Sequence, residues 1–160
     1  MGGIYLSKII DKKVTQLKKK YHTKNPFELC EHLGIKILYE NLGENINGFY
    51  QAAPRNKIIH ININLNEFSR YFTCLHELGH ALFHSNLNIL FLERNTFVIK
   101  NKLENEADYF SAHLAIDDGE LKSDNFESMT VEQIASQLNV PIKLLKLKLK
   151  LDSVRPNCAK

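Results

Sequence analysis

Between Lys57 and Ser85 the hydrophobic period of the chain changes from two to 3.6, and this switch constrains the fold more than any other feature. In KIIHINI (57–63), Ile59, Ile61 and Ile63 alternate with His60 and Asn62, which predicts a strand with one face buried and the other wet. From Leu65 to about Ser85, Phe68, Phe72, Leu75 and Leu82 recur at helical spacing, so an amphipathic helix is expected with Gly79 in its apolar stripe. A glycine in mid-helix costs about 1 kcal/mol relative to alanine. Its presence predicts that another backbone comes very close there.

The flanking segments supply more helices and two more strands. Ile9, Ile10, Val14, Leu17 and Tyr21 give residues 4–21 a helical stripe with lysines outward. Asn25 followed by Pro26 signals the start of a short helix through Leu29 and Leu33, which Gly34 can end. IKILYEN (35–41) has strand composition, and NGFYQAAPRNKIIHININ reads as two strands joined at Pro54-Arg55-Asn56. Residues 86–100 are apolar without a clear period. A further helix is expected from Lys102 to Ile116, packed through Leu103, Ala107, Phe110 and Leu114. An acidic loop (117–128) follows, then a helix VEQIASQLN capped by Thr130 and, beyond Pro141, a leucine-lysine helix. The expected organisation is a core over residues 1–128 with a helical segment, 129–160, packed on it as one domain.

Charge and cysteine content narrow the function. At 160 residues with a net charge of +3, the chain can bury a core without disulfides and carries no strong electrostatic bias towards nucleic acid. Its basic runs, KKVTQLKKK (12–20) and KLLKLKLK (143–150), read as solvated helix faces. Cys30, Cys74 and Cys158 are odd in number and lack paired spacing, which argues against a disulfide framework or a thiolate zinc site. MGGIYLSKII lacks the apolar core of a signal peptide, and no stretch reaches the roughly 20 apolar residues of a membrane helix. A cytoplasmic protein without a membrane partner is expected.

The chemistry concentrates in LHELGHALFH (75–84). On a helix, positions four apart differ by about 40° in direction, so His76 and His80 can bind one metal ion while Glu77 stays beside it as a general base. Catalytic zinc usually takes three protein ligands plus water. LENEADYF on the next helix offers Glu104 and Glu106, about 200° apart in direction, so only one can face the metal. Glu104 is favoured because Asp108 lies one turn later, placed to orient a ligand histidine through its second ring nitrogen; the other glutamate is then expected to be solvated at the surface. His84 is turned about 80° from His76, so it is expected to support or pack, as is His113. Tyr50, Tyr71 and Tyr109 are candidate oxyanion donors, weighed against ordinary core tyrosines.

These residues, with NPFELCEHLGIKI before them and ENEADYFSAHLAI and VEQIASQLNVPIKLLKLKL after them, resemble the ImmA/IrrE-type metallopeptidases of bacteria, phages and integrative elements. The resemblance covers most of the chain in the family's order. It implies an α+β, zincin-like (gluzincin-type) fold, in which a small, mostly antiparallel sheet packs on the active-site helix and extra helices lie at both ends. It also implies His76 and His80 as ligands, Glu77 as base and the glutamate of the ENEAD segment as third ligand. Zinc is the expected metal, with manganese as the alternative, and a helix-turn-helix repressor is the expected protein substrate. The chain departs from the family at HLAIDDGE, where a leucine-rich run ending in proline is common, and at Asp108, where asparagine is common.

The expected reaction is endoproteolysis, with substrate adding to a sheet edge at KIIHINI or at the hairpin strand before it. Two rivals remain. One is a protein that binds a repressor without cutting it. The other is a DNA-binding regulator using the helix-turn-helix rhythm of VEQIASQLNVPIKLLKLKL, for which packing of that leucine-rich helix is the competing role.

Overall fold

The computed structural model of the chain describes residues 2–53, 56–85, 97–122 and 126–150. Among them are strands β1 (Ile35–Glu40), β2 (Gly48–Ala53) and β3 (Asn56–Asn62). The helices are α1 (Gly2–Tyr21), α2 (Pro26–His32), α3 (Glu67–Phe83), α4 (Phe97–Ala115), α5 (Val131–Gln137) and α6 (Ile142–Lys148), with a 3-10 turn at Glu120–Lys122. The class is α+β, as expected. Two compact units divide the chain at Ser111 and Ala112, inside α4.

In the first unit the sheet order is β1-β3-β2. β2 and β3 form an antiparallel hairpin with Tyr50 opposite Ile59, while β1 runs parallel to β3 with Ile37 opposite Ile59. β1 ends opposite Asn62 and β2 begins opposite Ile61, so the short β1–β2 connection crosses one end of β3 and β1, running against β2, runs with β3. The sheet therefore has one pair of each kind rather than being mostly antiparallel. It also makes β3 the central strand, which removes KIIHINI as a docking edge and leaves β2, the hairpin strand before it, as the edge named in advance.

Ile59 and Ile61 are fully buried, as the alternation predicts. The opposite face is not wet where expected: His60 is only 7% exposed and Asn62 only 3%. Phe49 stacks on the His60 ring at 4.3 Å, and Glu40 and Gln51 take its two nitrogens. Asn62 donates to the carbonyls of Gly43 and Ile46, at 2.7 and 2.8 Å, and so ties down the β1–β2 connection. Both polar groups are buried because each is satisfied. Ile63, just past the strand, is 49% exposed instead.

α3 packs on β2, β3 and α2, beginning at Asn66, whose side chain accepts from the Ser69 amide at 2.8 Å. Cys74, Leu75, Leu78 and Ala81 are its fully buried residues, while Phe68 is 40% exposed and Leu82 half-buried. The helix meets neighbours on more than one side, so the buried set is wider than the single expected stripe. Gly79 behaves as predicted: a Cβ there would lie 3.1 Å from the Ala107 Cα on α4. Gly48 is equally constrained, since a Cβ would come within 2.6 Å of both the His60 carbonyl oxygen and Thr73 Cγ2. Upstream, Asn25 caps α2 through the Phe27 amide at 3.0 Å, and Gly34 closes it at φ +66°.

In the second unit Thr130 and Gln133 form a reciprocal capping box at the start of α5. Asn139, at φ +51°, ends that helix, and α6 buries Leu144 and Leu145. Lys148 reaches Asp118 at 2.7 Å. Among the described residues no helix is long and apolar enough to cross a membrane.

Candidate metal centre

His76 and His80 project from the same side of α3 towards α4, which presents Glu104 and Asp108 one turn apart. His76 Nε2 lies 3.1 Å from His80 Nε2 and 3.1 Å from Glu104 Oε2, and His80 Nε2 is 3.5 Å from Glu104 Oε1. Tetrahedral zinc with ligand bonds near 2.0–2.1 Å separates its donor atoms by about 3.3 Å. Each Glu104 oxygen faces one of the two histidines; with one donor atom taken from each side chain the three lie within 4.8 Å of one another, and they form the one group among the described residues able to hold a metal. Of the two candidate glutamates, Glu104 is the one brought to the histidines.

Asp108 Oδ1 is 3.0 Å from His76 Nδ1, the orienting contact expected of it. The imidazole donates there and keeps Nε2 towards the centre. Glu106 is not solvated at the surface as expected. Its side chain is 14% exposed and bonds His84 Nε2 at 2.9 Å, while His84 Nδ1 meets His80 Nδ1 at 2.9 Å. The i, i+4 spacing of His80 and His84 was the available sequence signal. The partnership with Glu106 was not visible, because helix rotation alone points Glu106 away from Glu104.

Glu77 is buried beside the ligands, and the backbone amide of Tyr50 on β2 donates to its carboxylate. Burial pushes its pKa up to about 7, opposed by the neighbouring His76 charge. Burial alone would lower His76, but its hydrogen bonds to Asp108 and Glu104 carry it up to about 9. His80 falls to about 4, first through burial and then through repulsion from His76. Glu104 is held low, chiefly by its bond to His76. The metal-free centre therefore keeps one cationic imidazole where a dication would sit.

The three candidate tyrosines separate clearly. Tyr71 donates to the Lys24 carbonyl at 3.3 Å and Tyr109 to Asp11 at 3.1 Å, so both hydroxyls are structural. The Tyr50 hydroxyl is buried with no hydrogen-bond partner among the described residues. His113 lies in the second unit, 3.4 Å from Lys148 Nζ, and is not part of the described site.

Two histidines one turn apart, a carboxylate from a following helix and a buried glutamate beside them form a candidate metal centre on a zincin-like α+β fold. Residues 30–150 match the peptidase family described as the IrrE N-terminal-like domain, and the chain belongs to that family. It is 39% identical over 140 residues to "Uncharacterized immunity region protein 2" of Bacillus phage phi105, spanning 88% of this chain and 89% of that protein. It is also 37% identical over 145 residues to "Metallopeptidase ImmA" of Bacillus subtilis, spanning 88% and 84%. Among solved structures, a Mycobacterium tuberculosis transcriptional regulator aligns with a TM-score of 0.58 at 13% identity. That alignment takes in 95% of this chain but 48% of the regulator, so the chain spans about half its length, and the likeness is one of fold.

Proposed function

We propose that this protein is a zinc-dependent endopeptidase whose substrate is a helix-turn-helix repressor, so that cleavage releases a phage, mobile element or stress response from repression. The observation that carries the reading is the cluster of His76, His80 and Glu104: the two Nε2 atoms are 3.1 Å apart, and one Glu104 oxygen lies 3.1 Å from His76 while the other lies 3.5 Å from His80. The phage immunity-region and ImmA relatives support the repressor as substrate.

His76, His80 and Glu104 would hold the metal, which when bound supplies Lewis acidity towards the scissile carbonyl and makes water a better nucleophile. Glu77 accepts the proton of the attacking water at its carboxylate and returns it to the leaving amine nitrogen. Burial raises this base to about 7 in the metal-free centre, and a dication held beside it would favour the carboxylate form that accepts the proton. The Tyr50 amide holds the carboxylate in place, and Asp108 fixes the His76 ring. An extended substrate segment would pair with the β2 edge, beside α3, where backbone hydrogen bonds give affinity with little demand on sequence.

The test is to incubate zinc-loaded protein and its Glu77→Gln variant with the helix-turn-helix repressor encoded next to it, and to read the products by intact mass. A pair of fragments from the unaltered protein alone is the expected result. Intact repressor in both tubes, with zinc bound, overturns direct cleavage by this protein, and a complex of the two proteins would then be the mark of sequestration.

A further inference from the structure

We propose that His84 and Glu106 are positioning residues that lock the His80 ring in its ligand tautomer, as Asp108 does for His76. The proposal rests on the metal reading of the site. It adds His84, at the C-terminal end of α3, and Glu106, on α4, to the residues that prepare the site.

Proton accounting along the chain of contacts gives the direction. His80 Nδ1 and His84 Nδ1 are 2.9 Å apart, and two ring nitrogens at that distance share one N–H between them. His84 Nε2 lies 2.9 Å from Glu106 Oε2, a carboxylate oxygen placed to accept a ring N–H there. For His80 Nε2 to serve as a ligand its ring proton must sit on Nδ1, and His84 Nδ1 is then the acceptor that faces it. The shared proton belongs to His80 Nδ1, and His80 Nε2 is left with its lone pair aimed at His76 Nε2 and Glu104. Both imidazoles that face the centre thus end in a carboxylate, one directly and one through a second ring. His84 is 7% exposed and the Glu106 side chain 14%, so little water competes for these bonds.

The same helix contact makes the chain possible. Gly79 lets α4 approach to within van der Waals distance at Ala107, immediately after Glu106. This is how two glutamates that point apart on α4 both reach histidines of α3.

The experiment uses the full chain, metal-free and with zinc, and three variants: His84→Leu, His84→Gln and Glu106→Leu. Zinc affinity is read by competition with a chelator, and the His80 tautomer in the metal-free protein by long-range proton-nitrogen NMR. In the unaltered protein His80 is expected to carry its proton on Nδ1. His84→Leu should shift that proton towards Nε2 and weaken zinc binding by about 10- to 100-fold, the usual effect of losing an outer partner of a ligand. His84→Gln, whose amide oxygen can still accept from Nδ1, should recover most of the affinity, and Glu106→Leu should fall between the two. Zinc affinity within twofold of the unaltered protein in His84→Leu, or an unchanged His80 tautomer, overturns the positioning role. Should His84→Leu fail to fold, Glu106→Leu decides by the same two readouts. An unaltered protein that binds no zinc instead removes the metal reading itself, and this proposal with it.

Discussion

Replacing Gly79 by alanine sets helix propensity against the close approach of two helices. Alanine in place of glycine in mid-helix is worth about 1 kcal/mol in favour of the fold. The new Cβ would lie 3.1 Å from Ala107 Cα, 3.2 Å from Phe110 Cδ1 and 3.3 Å from Ala107 Cβ. Carbon atoms rest at about 3.5–4.0 Å, so α4 must withdraw by several tenths of an ångström, and overpacking of this kind typically costs about 1–3 kcal/mol. The net expectation is a loss of about 0–2 kcal/mol, which lowers Tm by as much as about 8 °C in a chain of this size. The second consequence is specific to the site. Ala107 sits between Glu104 and Asp108 on α4, so the withdrawal moves both from the α3 histidines. Zinc affinity should therefore fall even where stability falls little, and chelator competition alongside thermal unfolding reads both. Gly79→Val should be worse in each. A Gly79→Ala protein whose Tm rises by the 2–4 °C that propensity alone gives, with zinc affinity unchanged, would refute the claim that this glycine sets the distance between ligand helices.

Asp108→Ala removes the acceptor for His76 Nδ1 and should weaken zinc binding by about 10- to 100-fold, whereas Asp108→Asn, with an oxygen that still accepts, should lose much less; equal losses would argue that the carboxylate charge matters rather than the tautomer. In the metal-free protein His76 is raised from 6.5 to about 9 and Glu77 from 4.5 to about 7, so each binds its proton more tightly folded than unfolded. The contribution of His76 is complete below pH 6.5 and is lost as pH rises through 9, on the order of 3 kcal/mol in all, while that of Glu77 is already declining from pH 4.5 to 7. His80 is lowered to about 4 and affects stability only below 6.5. Metal-free protein should accordingly melt at falling temperature from pH 6.5 to 9.5; a flat profile would mean that His76 is not protonated in the folded centre.

Local rules read directly from the chain account for much of this protein. The period of two gave away β3, the period of 3.6 gave α3, and Asn25-Pro26, Gly34 and Thr130 marked helix ends that the fold uses. HELGH on a helix put His76 and His80 on one side of it, and Asp108 one turn after Glu104 singled out the carboxylate that the fold brings to them. Gly79 announced a close backbone before α4 was known to supply it. These features depend on neighbours three or four residues away, and sequence spacing carries them fully.

The remainder depends on residues far apart in the chain. Whether β3 is edge or centre is decided by where β1 pairs, 20 residues earlier in the case of Glu40 and His60. The burial of His60 and Asn62 needs partners from β1, β2 and the connection between them, and alternation cannot reveal whether polar groups on the second face will be satisfied. Glu106 read as solvated because helix rotation considers one helix alone; the approach of α4 at Gly79 turns it onto His84 instead. In the same way only packing brings the Tyr50 amide to Glu77 and so sets a β2 edge beside the base. Spacing along each helix chose the candidate ligands, and contact between helix and helix, and helix and strand, decided what surrounds them.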